Sequence, residues 1–308
     1  MKNSIKLTGL LAIILVSSLF IFATKTNYDK TPTETVENDK NTSETYQIKA
    51  LKIPQNLEFA GERVPIEKED IRERVDRELL VNTYWQSNGL LLFKRAHKYF
   101  PIIEPILKKN GIPNDFKYLA VIESGLQNVT SPAGAKGFWQ IMRNTARENG
   151  LEVNNNVDER YHLEKATQVA CKYLKDAKEH FGSWTMAAAA YNAGKSGIAR
   201  KVEQQKVTDY YDLLLAEETK RYIPRMVAVK EILSNPKKYG FIFDEEDLYK
   251  LEPIKLIEVD SAITDIAQFS KELGINYKIL KLHNPWLREN HLNNKSGKLY
   301  QIKVPTEN

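Results

Sequence analysis

The chain has 308 residues, 42% of them hydrophobic, and a formal charge of +5 with a pI near 8.9. That length and composition suit one large or two modest globular domains; so mild a positive charge is more often a solubility feature than a binding patch, though it suits an anionic surface such as a cell wall, and no nucleic-acid partner is expected. The single cysteine, Cys171, excludes a disulfide-stapled fold, and five scattered histidines (His97, His162, His180, His283, His291) lack ligand spacing, so no metal and no cofactor is expected.

Lys2 and Lys6 precede an apolar run from Leu7 to Ala23. Export signals begin this way, and residues 1–23 are read as a signal peptide or membrane anchor. The run is long for the first and slightly short for the second. Ile21 and Ala23 make a poor cleavage context, which tilts the reading toward an anchor. Residues 24–45 are rich in Thr, Asn, Lys and Glu, with little to bury, and form a disordered tether.

From Tyr46 to Pro65 the chain gains apolar residues and prolines and is expected to wrap a domain as extended structure. Ile71, Val75, Leu79 and Leu80 then fall at helical spacing. A second helix is expected from Leu90 to Tyr99. Pro101 opens a third with Ile102, Ile103, Ile106 and Leu107, which Asn110-Gly111 ends. The stretch Tyr118-Leu119-Ala120-Val121-Ile122 is apolar and closes on one carboxylate, Glu123, before Ser124-Gly125 stops the helix. A carboxyl at the end of an apolar run is partly desolvated, which disfavours its charged form and raises its pKa. An acid still protonated near neutral pH is what acid-catalysed glycosidic cleavage requires. After the loop Ser131 to Gly137 come Phe138-Trp139-Gln140, an aromatic pair and an amide suited to a sugar's apolar faces and hydroxyls.

A helix start is expected at Asn144-Thr145-Ala146-Arg147. The polar stretch Asn154 to Tyr161 reads as a loop in which Asp158 and Glu159 are ordinary loop charges and Arg160 orders the backbone by pairing with a carboxylate. Ala166, Val169, Ala170, Tyr173, Leu174, Ala177 and Phe181 make the apolar face of a helix ended by Gly182. Trp184 starts an alanine-rich helix closing on Tyr191-Asn192-Ala193-Gly194, which presents a hydroxyl and an amide to a cleft. Glu217-Glu218-Thr219 opens the last core helix, with Pro224 near its start as a place for a kink and Asn235-Pro236 as its end. Residues 241–253 are a linker or the tail of the core. Residues 254–305 read as a separate strand-helix-helix-strand unit.

Four motifs in order, Glu123-Ser124, then Gly137-Phe138-Trp139-Gln140 with Met142, then Ala190-Tyr191-Asn192-Ala193-Gly194, then Glu218-Thr219 with Tyr222, resemble those of the lytic murein transglycosylases, most closely the membrane-bound type D subgroup. The resemblance covers about residues 110–235, and motifs that are weak singly become specific in combination. It implies a mainly α fold: a goose-type lysozyme-like domain over 46–240 with its core at 110–235. Residues 254–305, with Asn284-Pro285 and the final strand, resemble a LysM module, a small α+β unit that binds N-acetylglucosamine chains. The module is degenerate, with Asp260-Ser261-Ala262-Ile263 where Gly-Asp-Thr-Leu is usual.

The implied reaction is cleavage of the β-1,4 bond between N-acetylmuramic acid and N-acetylglucosamine with a 1,6-anhydro product. Glu123 is the implied catalytic residue. Ser124 would orient it, Tyr191 and Tyr222 would hold it and the sugar, and Gln140 and Asn192 would hydrogen-bond the glycan. Met142 and Glu218 would complete the substrate contacts. The implied partners are glycan strands and, through the N-terminal segment, the envelope membrane, in a cell-envelope or periplasmic location. A lysozyme-type hydrolase and a non-catalytic wall-binding protein are the competing readings.

Overall fold

The computed structural model describes residues 48–306, so the N-terminal segment 1–23 and the tether 24–45 lie outside the described residues. The chain enters through a two-residue hairpin, β1 (Glu58–Phe59) and β2 (Glu62–Arg63), paired antiparallel. Phe59 is fully buried edge-on against Phe116. Glu62 accepts hydrogen bonds from the backbone nitrogens of Trp184 and Thr185 at 2.5 and 2.8 Å. The expected wrap thus includes a side chain that satisfies a helix N-terminus elsewhere in the chain.

Helix α1 (Glu69–Tyr84) buries Ile71, Val75 and Leu79, as the spacing requires, and also Glu78. Trp85 caps it and leads into α2 (Gln86–Lys109), which runs through both Pro101 and Pro105. Two helices were expected here. The prolines are four residues apart and therefore on one face, which is exposed, while Ile103 and Leu107 are buried on the other. The carbonyls that lose a helical donor lie on the water side, and the packed face holds the helix together.

α3 (Lys117–Ser124) ends where Gly125 adopts φ 59°, and the Gly125 nitrogen returns to Val121 O at 2.8 Å. α4 (Arg143–Glu148) is one short turn of structure beyond the glycine loop. α5 (Leu163–Phe181) packs along α6 (Trp184–Ala193), whose run of four alanines, Ala187 to Ala190, is fully buried. α7 (Lys195–Gln205) follows. The last core helix, expected from Glu217, is divided into α8 (Glu217–Lys220) and α9 (Tyr222–Ser234). Pro224 has no N–H for the Lys220 carbonyl, and the Tyr210 hydroxyl donates to the carbonyls of Thr219 and Lys220, each at 2.8 Å. α9 is buried along most of its length, against α1 on one side and α3 and α6 on others. Among the described residues no helix is long and apolar enough to cross a membrane.

Residues 241–253 lie on α2: Phe241 and Phe243 both pack on Phe93, and Lys94 Nζ donates to Asp247 O at 2.6 Å. They are therefore the tail of the core. The C-terminal unit is β3 (Ile254–Val259), α10 (Ile266–Glu272), α11 (Tyr277–His283) and β4 (Tyr300–Pro305), the β-α-α-β order expected. The strands pair antiparallel with Ile254 opposite Pro305 and Val259 opposite Tyr300. Asn284 is fully buried, and its amide bonds Leu280 O, Lys303 O and Lys303 N at 2.9, 2.7 and 2.8 Å, stitching α11 to β4.

This module is docked on the loop 152–161. Val157 and Tyr161 sit in the module's own hydrophobic cluster with Trp286, Leu287 and Tyr300. Asp158 N donates to Trp286 O and Arg288 N to Asn156 O, both at 2.9 Å. Within that loop Arg160 pairs with Asp158 at 2.8 Å, as expected of it, and its other amino group reaches Gly134 O and Ile141 O at 3.0 and 3.2 Å. Gly137, at φ +79°, lies so close that a methyl group there would sit 2.1 Å from Arg160 O. Gly137→Ala should therefore destabilise the protein by at least ~2 kcal/mol. Chemical denaturation of the variant and the parent measures this, and equal midpoints would contradict the packing described.

Candidate active site

Glu123 lies in the last turn of α3, and Gly125 ends the helix directly beyond it, so its carboxyl projects at a helix terminus from an apolar segment. It lines a cleft of about 410 Å³ together with Val121, Ile122, Leu92 and Val229. Burial raises its pKa above the ordinary value; the Tyr222 hydroxyl, which donates to Oε1, opposes the shift, Glu218 adds to it and Arg225 opposes it. The balance is an upward shift, as the apolar sequence context predicted. Tyr222 is itself buried, and desolvation together with the nearby Glu123 charge raises its own pKa far above the usual phenol range, so it is a lasting hydrogen-bond donor.

The other residues singled out from the sequence take several places. The Tyr191 hydroxyl donates to Trp139 O at 2.7 Å, and burial, with Glu123 next, raises its pKa. It therefore ties α6 to the Phe138-Trp139-Gln140 segment within electrostatic range of Glu123. Trp139 is fully buried, and its Nε1 donates to Thr167 Oγ1 at 2.8 Å. Asn192 accepts from Thr219 Oγ1 at 2.8 Å, and its Nδ2 has no protein acceptor among the described residues. Met142 is 45% exposed at the start of α4. Glu218 is exposed and pairs with Arg225 at 3.1 Å.

Ser124 and Gln140 have internal duties. The Ser124 hydroxyl donates to Ala120 O and Phe138 O at 3.0 and 2.9 Å, with no hydrogen bond to the Glu123 carboxylate. It clamps α3 to the loop that carries Trp139. Gln140 stands at φ 45°, and its Nε2 donates to Gly137 O and Val129 O at 2.7 and 3.2 Å, closing its own turn. Asp158 and Glu159 are buried, not solvated as loop charges usually are: Asp158 in the Arg160 pair, Glu159 with Lys165 at 2.5 Å and Lys298 at 3.1 Å. The nearby Arg160 and Lys165 and the module's Lys298 supply the partners. Among the described residues no group of three or more His, Cys, Asp and Glu side chains could hold a metal ion.

Several residues of the cleft wall were missed, Glu78, Arg221 and Arg225 among them. Glu78 on α1 is 1% exposed and meets Arg77 at 2.6 Å, Arg221 at 2.7 Å and Arg225 at 3.5 Å. Arg221 occupies the break between α8 and α9, immediately before Tyr222. Glu78 thus fixes the break from which Tyr222 reaches Glu123. The signal was in the sequence: position 78 falls on the same stripe as Ile71, Val75 and Leu79, where a carboxylate needs a reason.

Residues 100–214 match the transglycosylase SLT domain, and residues 255–308 match the soluble lytic transglycosylase C-terminal LysM-like domain. The chain therefore carries an SLT transglycosylase domain with a lysozyme-like fold, followed by a LysM-like domain. It is 30% identical over 256 residues to the membrane-bound lytic murein transglycosylase D of Escherichia coli strain K12, covering 80% of this chain and 55% of that protein, and matches that of Escherichia coli O6:H1 to the same extent. The chain spans about half the length of these curated relatives. A solved structure of an inactive variant of lytic transglycosylase Slt from Pseudomonas aeruginosa is 18% identical and covers 49% of this chain and 26% of its own, with a TM-score of 0.36. The SLT match covers 100–214, so Glu78, Arg221 and Arg225, which lie outside it, enter the site on geometry alone, and Glu218 and Tyr222 on geometry together with the motif resemblance.

Two measurements test this electrostatic arrangement. A carboxyl with a raised folded pKa binds protons more tightly in the folded state. Its favourable contribution is present at low pH, falls as pH rises through the window between the unfolded and folded values, and is a net penalty above it. Glu123→Gln keeps an acceptor for Tyr222 and removes the charge, so its Tm should exceed that of the parent at pH 7, with the difference shrinking toward pH 4. A lower Tm at pH 7 would mean that Glu123 is a stabilising ion-pair partner. For Glu78→Ala the expectation is a loss of about 1–3 kcal/mol on denaturant titration, below the value for a wholly buried pair because its arginines are partly solvated. An unchanged midpoint would remove Glu78 from the role given to it.

Proposed function

We propose that the chain is a peptidoglycan lytic transglycosylase, cleaving the β-1,4 bond between N-acetylmuramic acid and N-acetylglucosamine. The observation that carries this reading is a single carboxyl with a raised pKa, donated to by a buried tyrosine and set in the wall of a cleft. The SLT and LysM-like matches and the names of the curated relatives support it.

In the proposed reaction Glu123 gives its proton to the glycosidic oxygen as the C1–O bond breaks. The N-acetyl group of the same sugar stabilises the cation at C1. Glu123, now a carboxylate, takes the proton of the C6 hydroxyl as O6 bonds C1 and closes the 1,6-anhydro ring. Glu123 ends protonated and no water is consumed. Raised basicity serves both halves, since the group must be an acid first and a base second near the working pH. Tyr222 steadies the carboxylate between the halves. A two-carboxylate mechanism is less well supported, because the neighbouring Glu78 and Glu218 are engaged by arginines.

The N-terminal segment would export the chain and hold it at the envelope membrane, with residues 24–45 as tether. The region 46–240 would act as the catalytic domain, and the LysM-like module at 254–305 would bind glycan strands beside it. Ser124 and Gln140 would serve the site by shaping its loop, while Met142, Tyr191, Asn192, Glu218 and Tyr222 would border the bound glycan.

Digestion of purified murein followed by mass spectrometry tests the proposal. Muropeptides one water lighter than hydrolysis products are expected, and Glu123→Gln should lower their yield by at least ~10²-fold. Reducing muramic acid ends would establish a hydrolase instead, and no cleavage at all would leave the wall-binding reading.

A further inference from the structure

We infer that the corner between α1 and α2 is a sugar subsite of the Glu123 cleft, with Trp85 as its platform. The inference rests on the glycan-cleaving reading above and adds a binding position to it. Trp85 is both the C-cap of α1 and the N-cap of α2, and it is 61% exposed. Such a large aromatic surface left to water at a helix junction calls for a ligand when it lines a cleft, and Trp85 lines the one that contains Glu123.

Amides flank it. Asn82 and Asn88 line the same cleft, with Gln127 on the Glu123 side. Asn82 Nδ2 is held by Glu78 O at 2.7 Å, and its Oδ1 has no donor among the described residues. The Asn88 side chain makes no hydrogen bond to the described protein, and its residue is half-buried. An indole face between amides with unused donors and acceptors suits a β-linked N-acetylhexosamine. The C–H face of such a ring stacks on the indole, while its hydroxyls and acetamide exchange hydrogen bonds with the asparagines. Glu78, one helical turn before Asn82 and pinned by its arginines, fixes this wall against the one bearing Tyr222. The corner lies before residue 100, outside the SLT match, so it distinguishes this chain's cleft from the part the family model describes.

The test uses the full chain carrying Glu123→Gln, titrated with chitotetraose. The indole N–H resonance of Trp85, assigned by its loss in Trp85→Phe, should shift and saturate with the affinity that calorimetry gives. Trp85→Ala in the same background should bind about tenfold more weakly, with Trp85→Phe in between. In the otherwise native chain Trp85→Ala should raise the KM for murein by more than it lowers kcat. An unmoved Trp85 resonance, absent binding, or an unchanged affinity in Trp85→Ala would overturn the subsite. Failure of the catalytic reading is separate: it would show as absent anhydro products from the native chain, whatever Trp85 does.

Discussion

A buried ion pair between residues two apart, Asp158 and Arg160, is the constraint on which the loop bearing Trp139 and the C-terminal module both depend. Its guanidinium reaches Gly134 O and Ile141 O and so fixes the two ends of the loop that presents Trp139 and Gln140. The backbone nitrogen of Asp158 donates to Trp286 O, inside the module. The pair is no proof of stability, since two desolvated charges often do little better than apolar residues of the same size. Its effect is positional. Every donor of the arginine that meets the loop finds a carbonyl, so the loop has one low-energy arrangement. Gly137 is the corollary: the loop comes so near to Arg160 O that no side chain fits there.

Two carboxylates in one cleft show opposite uses of burial. Glu78 is surrounded by arginines and holds helices α1 and α9 in place. Glu123 has a tyrosine hydroxyl, apolar walls and a more distant arginine, and is pushed toward its neutral form. The two are linked through Arg221 and Arg225, which lie at and just after the break that starts α9 and aims Tyr222. An ion-pair network thus sets the geometry in which the other carboxyl is pushed toward its neutral form. The break is built from ordinary parts: a proline that cannot donate, and a buried tyrosine that takes up the stranded carbonyls.

Local chemistry determined most of the elements. The spacing of Ile71, Val75 and Leu79, the alanine run of α6, Gly125 and Gly182 as helix ends, and the strand-helix-helix-strand order of 254–305 follow from period and capping, which act within a few residues. The apolar run into Glu123 was enough to predict the direction of its pKa shift, in which burial is the largest cause. The motif resemblance directed attention to Tyr222, but that it donates to Glu123 is a matter of tertiary packing.

Only the tertiary structure decided the rest. Pro101 was expected to open a new helix and instead lies inside one that also runs through Pro105, because an exposed face tolerates lost hydrogen bonds when the opposite face is packed. Ser124 and Gln140 were expected to face the carboxylate and the glycan, yet their polar atoms meet carbonyls at Phe138, Gly137 and Val129 that only the folded loop brings near. Glu78 could be marked as anomalous from its stripe, but its arginines lie as far away as Arg221 and Arg225. The docking of the module on Val157 and Tyr161 has no local signature at all. Periodicity and caps are properties of a segment and can be read from it. The partners of a buried polar group, and the water or protein that meets a given helix face, belong to the packed chain and exist only once distant segments have met.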